Sequence, residues 1–477
     1  MDNRFYFGFN TSEERKKRRK AELYSMSEQV STFFWDEAPQ HGLEMREGQQ
    51  DMSFEIVDAL INDQHFAIEA GVGIGKSFGY LVPVLLYSKR MNKPVIIATS
   101  TIALQEQLWR DVHAVMPLLG LNRDVILAKG QTHYLCNKRA DEYMCDPKAD
   151  PPDALKEGIK QGYEERKDFP EVLPQGVWDK VNVQRFSMKN CGSCEKKCKY
   201  YKVRAALKFT DGVVLCNQDF LTQHLMKLRR GQDGLINAAA DLLVVDEAHN
   251  LDDKVRSATT ERFGQGMLLG MIKSAFYELR SFDQSSVSGE KREAESAIIA
   301  FYNCLKAQVQ KQINEAEQDM RYADRFFFDN NGSAIELLTE MNAAIHNLSS
   351  SIQIYSSMDF RNNRSFAASD DLDAVSESLS ELLDRIDDML IWIEQHGSNT
   401  ELVYCPKNTK EIVSRLYFNG DERTILTSAT LTNATSGSLE EQYSYFISNT
   451  GFPVGERGCL SEPKPSPYPY DEHAMIY

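Results

Sequence analysis

Ala70-Gly71-Val72-Gly73-Ile74-Gly75-Lys76-Ser77 decides how this chain is read. A short apolar run, His65 to Ala70, precedes it, and an apolar periodic run, Phe78 to Tyr87, follows it. That order predicts strand, glycine-rich turn and helix, the setting of a phosphate-binding P-loop. Three glycines let the turn bend so that successive backbone N–H groups face one point. The N-terminus of the following helix adds a partial positive charge suited to an anion. In this pattern Gly71, Gly73 and Gly75 shape the loop, Lys76 reaches the β- and γ-phosphates of ATP, and the Ser77 hydroxyl binds Mg2+. Ala70 stands where the usual pattern has its first glycine.

The 477 residues carry 42% hydrophobic and 26% charged side chains, ordinary values for a soluble globular protein of about three domains at ~150 residues each. No apolar run approaches the ~18 residues of a membrane span, and the polar N-terminus lacks a signal-peptide core. The expectation is a cytoplasmic protein that neither crosses nor binds a membrane. A net charge of −16 argues against a surface that grips nucleic acid everywhere, but local charge differs. Arg15 to Lys20 is a run of six bases, and Arg185 to Arg204 holds seven bases and one acid. Asp370 to Asp388, with eight acids and one base, could not meet a phosphate backbone.

Upstream of the P-loop, Met45 to Gln50 opens a predicted helix with Met52, Ile56, Val57 and Leu60 on one face. Gln49 lies where many nucleic-acid motors place an adenine-reading glutamine. Further strands are predicted at Pro94 to Thr101, Val125 to Ala128, Gly212 to Cys216, Leu242 to Val245 and Thr424 to Thr427. Strands alternating with helices, each ending in small or polar residues, describe a parallel α/β sheet with its site at the strand C-termini. At Leu242-Leu243-Val244-Val245-Asp246-Glu247-Ala248-His249 an apolar strand delivers two adjacent carboxylates to that edge. Asp246 would hold Mg2+ and Glu247 would polarise an attacking water. The hydroxyl-rich end Thr427-Ser428-Ala429-Thr430-Leu431 could hydrogen-bond to the Asp-Glu turn and report nucleotide state.

Between the strands, Cys191-x2-Cys194-x3-Cys198 is a tight thiolate cluster, and one distant cysteine, Cys136 or Cys145, would complete four ligands. Spacing alone suits a 4Fe-4S cluster or zinc. Farther on, Leu372, Val375, Leu379, Leu382, Ile386, Met389 and Ile393 recur in steps of three and four, and Gly397 is placed to stop a helix. This predicts a helical hairpin packed on its neighbours, with a dimerising coiled coil as the other reading.

Asp246-Glu247-Ala248-His249, the P-loop and Ser428-Ala429-Thr430 resemble the DEAH-type superfamily 2 helicases. Glu69 to Ser77, Ala98-Thr99-Ser100-Thr101 with Leu104 and Gln107, Lys129-Gly130 leading to Tyr134-Leu135-Cys136, and Cys198-Lys199-Tyr200-Tyr201 running into Asn217 narrow the resemblance to the DinG/XPD iron–sulfur group, nearest its bacterial DinG type. That group commonly has Glu-Ala before the glycines. The resemblance, over about residues 45–477, implies a RecA-like motor lobe interrupted by a small iron–sulfur domain and a mostly helical arch. It implies lobe segments at 1–131, 211–250 and 405–477, a cluster insertion at 132–210, and an arch at 251–404. It favours 4Fe-4S over zinc, with Cys136, Cys191, Cys194 and Cys198 as ligands. It assigns Lys76, Asp246, Glu247 and His249 to catalysis of ATP hydrolysis.

The cluster would brace an insertion with little core of its own. Lys196, Lys197, Lys199, Lys202 and Arg204 would face phosphates, and Tyr200 and Tyr201 could stack on bases. The resemblance further implies a DNA-repair helicase moving 5′ to 3′ on single-stranded or forked DNA, without oligomerisation. No second RecA-like sheet or arginine-finger motif is legible after Thr430, so the chain reads as the N-terminal half of such a motor. The alternatives are a non-unwinding module that binds nucleotide and single-stranded DNA, and a zinc-stapled nucleotide switch.

Overall fold

The computed structural model describes residues 12–44, 46–184, 191, 197–279, 281–316, 323–330, 332–357 and 367–468. Two compact units form, one from Met1–Ala258 with Thr409–Tyr477 and one from Thr259–Asn408. The strands among the described residues are β1 (His65–Glu69), β2 (Val95–Thr99), β3 (Val125–Leu127), β4 (Val213–Asn217), β5 (Leu242–Asp246), β6 (Glu261–Gly264), β7 (Arg325–Phe327), β8 (Met389–His396), β9 (Asn399–Pro406), β10 (Arg423–Ser428) and β11 (Gly458–Leu460).

In the first unit seven strands make one parallel sheet in the order β11-β1-β10-β5-β2-β4-β3. Its strands read as unbroken apolar runs because both faces are covered. Alternate residues serve opposite cores. Phe66, Ile68, Val95 and Ile97 join the helices Glu47–Ile61, Lys76–Met91 and Ile102–Leu118 on one face. Ala67, Ile96 and Ala98 join Gln218–Arg229, Leu251–Ala258 and Lys410–Tyr417 on the other. The expected strands all form, and β11 adds an edge strand that the sequence reading did not include. The helix Ser12–Thr32 completes the first core through Leu23, Met26 and Val30. Part of the basic run braces the lobe: Arg19 donates to the Tyr87 hydroxyl (3.2 Å) and pairs with Asp63 (3.4 Å).

Between β3 and β4 the chain forms a small body. It has a core after all, made by Leu135, Ala140, Leu155, Phe169, Leu173, Trp178 and Val181. Trp178 donates its indole N–H to the Thr132 carbonyl (2.7 Å), which satisfies the one polar atom of a buried ring. Seven buried side chains, one a tryptophan, supply cohesion the sequence reading had assigned to bound metal.

The second unit packs the helices Gln265–Glu278, Ser288–Glu315, Gly332–Ser357 and Ala367–Asp384 with an antiparallel sheet of order β6-β9-β8-β7. The seam at Leu372, Val375, Leu379 and Leu382 is buried on a helix, as its spacing predicts. The helix ends at Asp384, however, and the rest of the supposed seam is a short turn at Ile386–Asp388 followed by β8. Met389 and Ile393 are four residues apart, a separation that places them on one face of a helix or of a strand. The β-branched and aromatic residues between them, Ile391 and Trp392, favour the strand. Gly397, expected to stop a helix, turns the β8–β9 hairpin at φ +61°.

Two buried histidines fasten the lobe as neutral rings. His65 Nδ1 accepts from Thr424 N–H (3.0 Å), which leaves Nε2 to donate to the Phe418 carbonyl (3.2 Å). His224 Nδ1 accepts from the backbone N–H groups of Leu235 (2.9 Å) and Ile236 (3.2 Å). Burial, reinforced by neighbouring cations, pushes both rings down to about 4. The unfolded chain therefore binds more protons than the folded one between about pH 6.5 and 4. Their stabilising contribution is complete above that window and is lost as the pH falls through it. Urea unfolding at pH 7 and pH 5 is expected to show the decline, with a shallower pH dependence in His224→Asn, whose amide oxygen keeps an acceptor.

Candidate nucleotide-binding site

Sheet order brings the site together. β10 lies between β1 and β5, so the P-loop after β1, the carboxylates after β5 and Ser428 at the end of β10 leave adjacent strand ends. The register aligns them: Glu69 is opposite Ser428, and Thr427 is opposite Asp246.

The loop has the backbone its glycines permit. Gly73 (φ +89°) and Gly75 (φ +87°) occupy the left-handed region, and Gly75 caps the Lys76–Met91 helix. Any side chain at Gly75 would also strike Gln49, whose Nε2 donates to the Gly75 carbonyl (3.0 Å). Gln49 is thus buried against the loop, and its Oε1 has no hydrogen-bond partner among the described residues. The helix carrying Gln49 packs closely on the loop's helix, where Ser53 Oγ donates to the Gly79 carbonyl (2.6 Å).

A second segment lies along the loop. Lys464 N donates to the Glu69 carbonyl (2.9 Å), Gly71 N donates to the Lys464 carbonyl (2.9 Å), and Ser466 Oγ donates to the Val72 carbonyl (2.7 Å). A Cβ at Gly71 would meet Ser466 N at 2.7 Å, and one at Gly73 would collide with the Tyr468 ring. Close approach of backbone therefore requires glycine at 71, and the left-handed φ requires it at 73. Lys464 also pairs with Glu55 (2.7 Å) on the Gln49 helix.

Lys76 Nζ lies 2.5 Å from Glu247 Oε1 and 3.2 Å from Asp246 Oδ1. Burial alone would pull this ammonium down, but the two carboxylates outweigh it and hold Lys76 above its ordinary value. Asp246 is raised, because its own burial outweighs the favourable charge of Lys76. The second oxygen of Glu247 accepts from Ser428 Oγ (3.2 Å), and His249 Nδ1 shares that hydroxyl at 2.6 Å. Lys76, Asp246, Glu247, His249 and Ser428 thus form one contiguous set. Phosphates would compete with the carboxylates for Lys76, and a divalent cation would compete with Lys76 for Asp246. The Asp246 carboxylate, beside the phosphate loop, suits Mg2+, an oxygen-seeking ion.

The backbone of Glu247 and two further residues shape the set. Glu247 has φ +57°, ψ +46°, a left-handed backbone rare outside glycine and asparagine, which turns its side chain back toward Lys76. Gln218, fully buried, donates from Nε2 to the carbonyls of Asp246 (2.7 Å) and Glu247 (3.0 Å). Tyr443, also buried, accepts from Glu69 N–H (2.8 Å) and donates to the Ser461 carbonyl (3.0 Å). The sequence reading missed Gln218 and Tyr443. Gln218 follows Asn217, a residue type that caps helices, and Asn217 Oδ1 does accept from Phe220 N–H (2.9 Å), so a buried polar residue at that helix start was the available signal.

The cysteines separate into two groups. Cys136 and Cys198 each precede a helix and share a small apolar cluster with Tyr134, Val183 and Tyr200. Cys198 Sγ accepts from Tyr201 N–H (3.5 Å). Cys145 is exposed at the far end of the helix Asn137–Cys145, about 13 Å along its axis from Cys136. Cys191 is half-buried, and Cys194 lies outside the described residues. No group of three metal-ligating side chains is assembled among the described residues. Tyr200 is buried against Tyr134 (ring centroids 5.1 Å apart), so it is a core residue and not a base-stacking one. Among the described residues no helix is long and apolar enough to cross a membrane.

A parallel sheet with a P-loop lysine facing an Asp-Glu pair across adjacent strand ends defines a nucleotide-binding lobe of the P-loop class. Residues 132–266 match the DEAD_2 family. The chain is 24% identical to the probable ATP-dependent helicase YpvA of Bacillus subtilis (strain 168), over 94% of its own length and 69% of that protein. It is 26% identical to the 3'-5' exonuclease DinG of the same organism, over 91% of its length and 50% of the relative. It is 30% identical to the ATP-dependent DNA helicase YoaA of Escherichia coli (strain K12), over 47% of its length and 36% of that relative. In motif order and in these matches the chain is similar to the DinG-like helicases.

Substituting Gln218→Ala leaves two buried carbonyls behind the carboxylate pair without their donor, a cost of about 1–3 kcal/mol. The expected outcome is a lower unfolding midpoint, together with a weaker magnesium dependence of nucleotide binding measured by titration.

Proposed function

We propose that the chain is the nucleotide-binding lobe of a DinG-like, ATP-dependent DNA helicase. The observation that carries this reading is the meeting of Lys76, Asp246, Glu247 and Ser428 at the ends of three adjacent parallel strands. ATP draws Lys76 from the carboxylates to its β- and γ-phosphates. Ser77 and Asp246 would hold Mg2+, which would offset phosphate charge. Freed from Lys76, Glu247 polarises the attacking water while Ser428 and His249 orient its second oxygen. Gln49 reads the adenine through Oε1, a buried atom that lacks a partner among the described residues.

Single-stranded or forked DNA is the substrate class, and 5′ to 3′ movement follows from the resemblance. The helicase names of YpvA and YoaA, the latter a DNA helicase, support a DNA-directed motor. Cys136, Cys191, Cys194 and Cys198 would hold a 4Fe-4S cluster without redox turnover, beside an insertion core that is already packed. In support, Cys136 and Cys198 share one apolar cluster and both sit at helix starts, where thiolates are favoured, whereas Cys145 does not. Anaerobically purified protein is expected to contain iron and acid-labile sulfide. Cys136→Ser should lose both and Cys145→Ser should keep them; zinc without iron would overturn the assignment.

Hydrolysis in this class needs a second lobe closing over the phosphates with an arginine, an effect of about 10³–10⁵ in rate where measured. The described residues hold one parallel sheet, so the 477-residue polypeptide by itself is proposed to bind ATP without appreciable turnover. Fluorescent ATP-analogue binding that is abolished in Lys76→Ala, with negligible DNA-stimulated phosphate release, is the expected result. Robust release that disappears in Lys76→Ala would refute the half-site reading, and loss of analogue binding in the unaltered chain would refute the nucleotide site.

A further inference from the structure

Glu69 ends β1 and immediately precedes the P-loop, yet its carboxylate does not face the phosphate cradle. Oε2 accepts from Leu431 N–H (2.6 Å), Thr432 N–H (2.6 Å) and the Thr432 hydroxyl (2.8 Å). Its own N–H is bound by Tyr443 and its carbonyl by Lys464, so both backbone groups are engaged as well as Oε2. Two consecutive backbone amides and a hydroxyl converging on one carboxylate oxygen make a charge-assisted anchor, stronger than neutral hydrogen bonds of the same number.

The anchored segment is the continuation of β10. Thr430 N–H donates to Ser428 Oγ (3.4 Å), and that hydroxyl is the one shared by Glu247 and His249. A closed circuit results: Lys76 to Glu247, Glu247 to Ser428, Ser428 through residues 429–432 to Glu69, and Glu69 through the P-loop back to Lys76. We propose that Glu69 is a positioning residue for the nucleotide site. It fixes the far end of the Ser428–Thr432 segment so that Ser428 stays against Glu247, and it thereby sets the preference for nucleoside triphosphate over diphosphate.

The reason is thermodynamic linkage. A γ-phosphate acts on the circuit only through Lys76 and Glu247. Its binding is coupled to Ser428 only if displacement of that hydroxyl is resisted elsewhere. With residues 431–432 pinned, movement of Ser428 strains the segment; with them released, Ser428 follows Glu247 freely and the terminal phosphate is no longer distinguished. ADP reaches Lys76 through its β-phosphate but places no γ-phosphate beside Glu247, so its affinity depends far less on Glu69.

The inference rests on the nucleotide reading of the site, and the test separates the two. Dissociation constants of fluorescent ADP and of a non-hydrolysable ATP analogue, each with magnesium, would be measured on the 477-residue chain and its variants. Glu69→Ala is expected to reduce the triphosphate-to-diphosphate preference by about fivefold or more, with ADP affinity held within about twofold. Glu69→Gln keeps an acceptor oxygen for the two amides and should recover most of the preference. A brace with no role in discrimination would weaken both nucleotides together or neither, and either pattern overturns the proposal. In a double-mutant cycle, Glu69→Ala should change nothing further in a Ser428→Ala background, whereas independent effects would overturn it. If Glu69→Ala does not accumulate as folded protein, Thr432→Val carries the decision: it removes only the hydroxyl donor, a reduced preference supports the proposal, and an unchanged one overturns it. Failure of the unaltered chain to bind either nucleotide would overturn the nucleotide reading and this inference with it; normal binding with an unchanged ratio in Glu69→Ala overturns the inference alone.

Discussion

A parallel strand cannot reach its neighbour through a tight turn, and the rest of the lobe depends on that constraint. Each crossover must travel the length of the sheet and return, so every strand leaves the sheet at the same edge. The P-loop, the Asp-Glu pair and Ser428 come from sequence positions more than a hundred residues apart, yet they meet because β1, β10 and β5 are neighbours that all point one way. Long crossovers also tolerate additions. The body between β3 and β4 and the whole second unit between β5 and β10 are inserted in such connections, and the register of the sheet is continuous despite them.

Within that frame the site is an electrostatic balance. Two adjacent carboxylates at a sheet edge would repel each other strongly when partly buried, and Lys76 offsets them at 2.5 and 3.2 Å. Glu247 contributes a left-handed backbone that an ordinary strand-to-helix turn would avoid, at a cost of order 1–3 kcal/mol. Gln218 holds the carbonyls behind that turn, and Ser428 holds the carboxylate in front of it. The strain is thus confined by neighbours on both sides, which suits a group that must exchange partners without moving far.

Much of this was legible in the residues. Gly71 to Ser77 and Leu242 to His249 carry local patterns whose meaning depends little on the rest of the chain, because a glycine-rich turn and an apolar strand ending in two acids each have few alternative conformations. Less legible were residues whose role exists only across the fold. Gln218, Tyr443 and Glu69 are single polar residues with no periodicity, and the partners described above lie 18 to several hundred positions away, separations that no spacing rule encodes. The error in the second unit has a different origin. From Leu372 to Leu382 the spacing of three and four defines a helix, whereas Met389 and Ile393 fit either period, and the β-branched and aromatic residues between them decide for the strand. Trp178 was misjudged by omission: one large buried ring organises a core that the cysteine spacing had overshadowed.

The segment from Ser461 to Tyr468 has a mechanical meaning. It is stitched to β1 and to the phosphate loop by backbone bonds at Ala67, Glu69 and Gly71, then by the Ser466 hydroxyl at Val72. Bonds in such a row share a load applied along the strand but open one by one when the strand is peeled. Tension directed along this segment would therefore be borne by these bonds together, while a sideways pull at its far end would free the loop in steps, beginning at Val72.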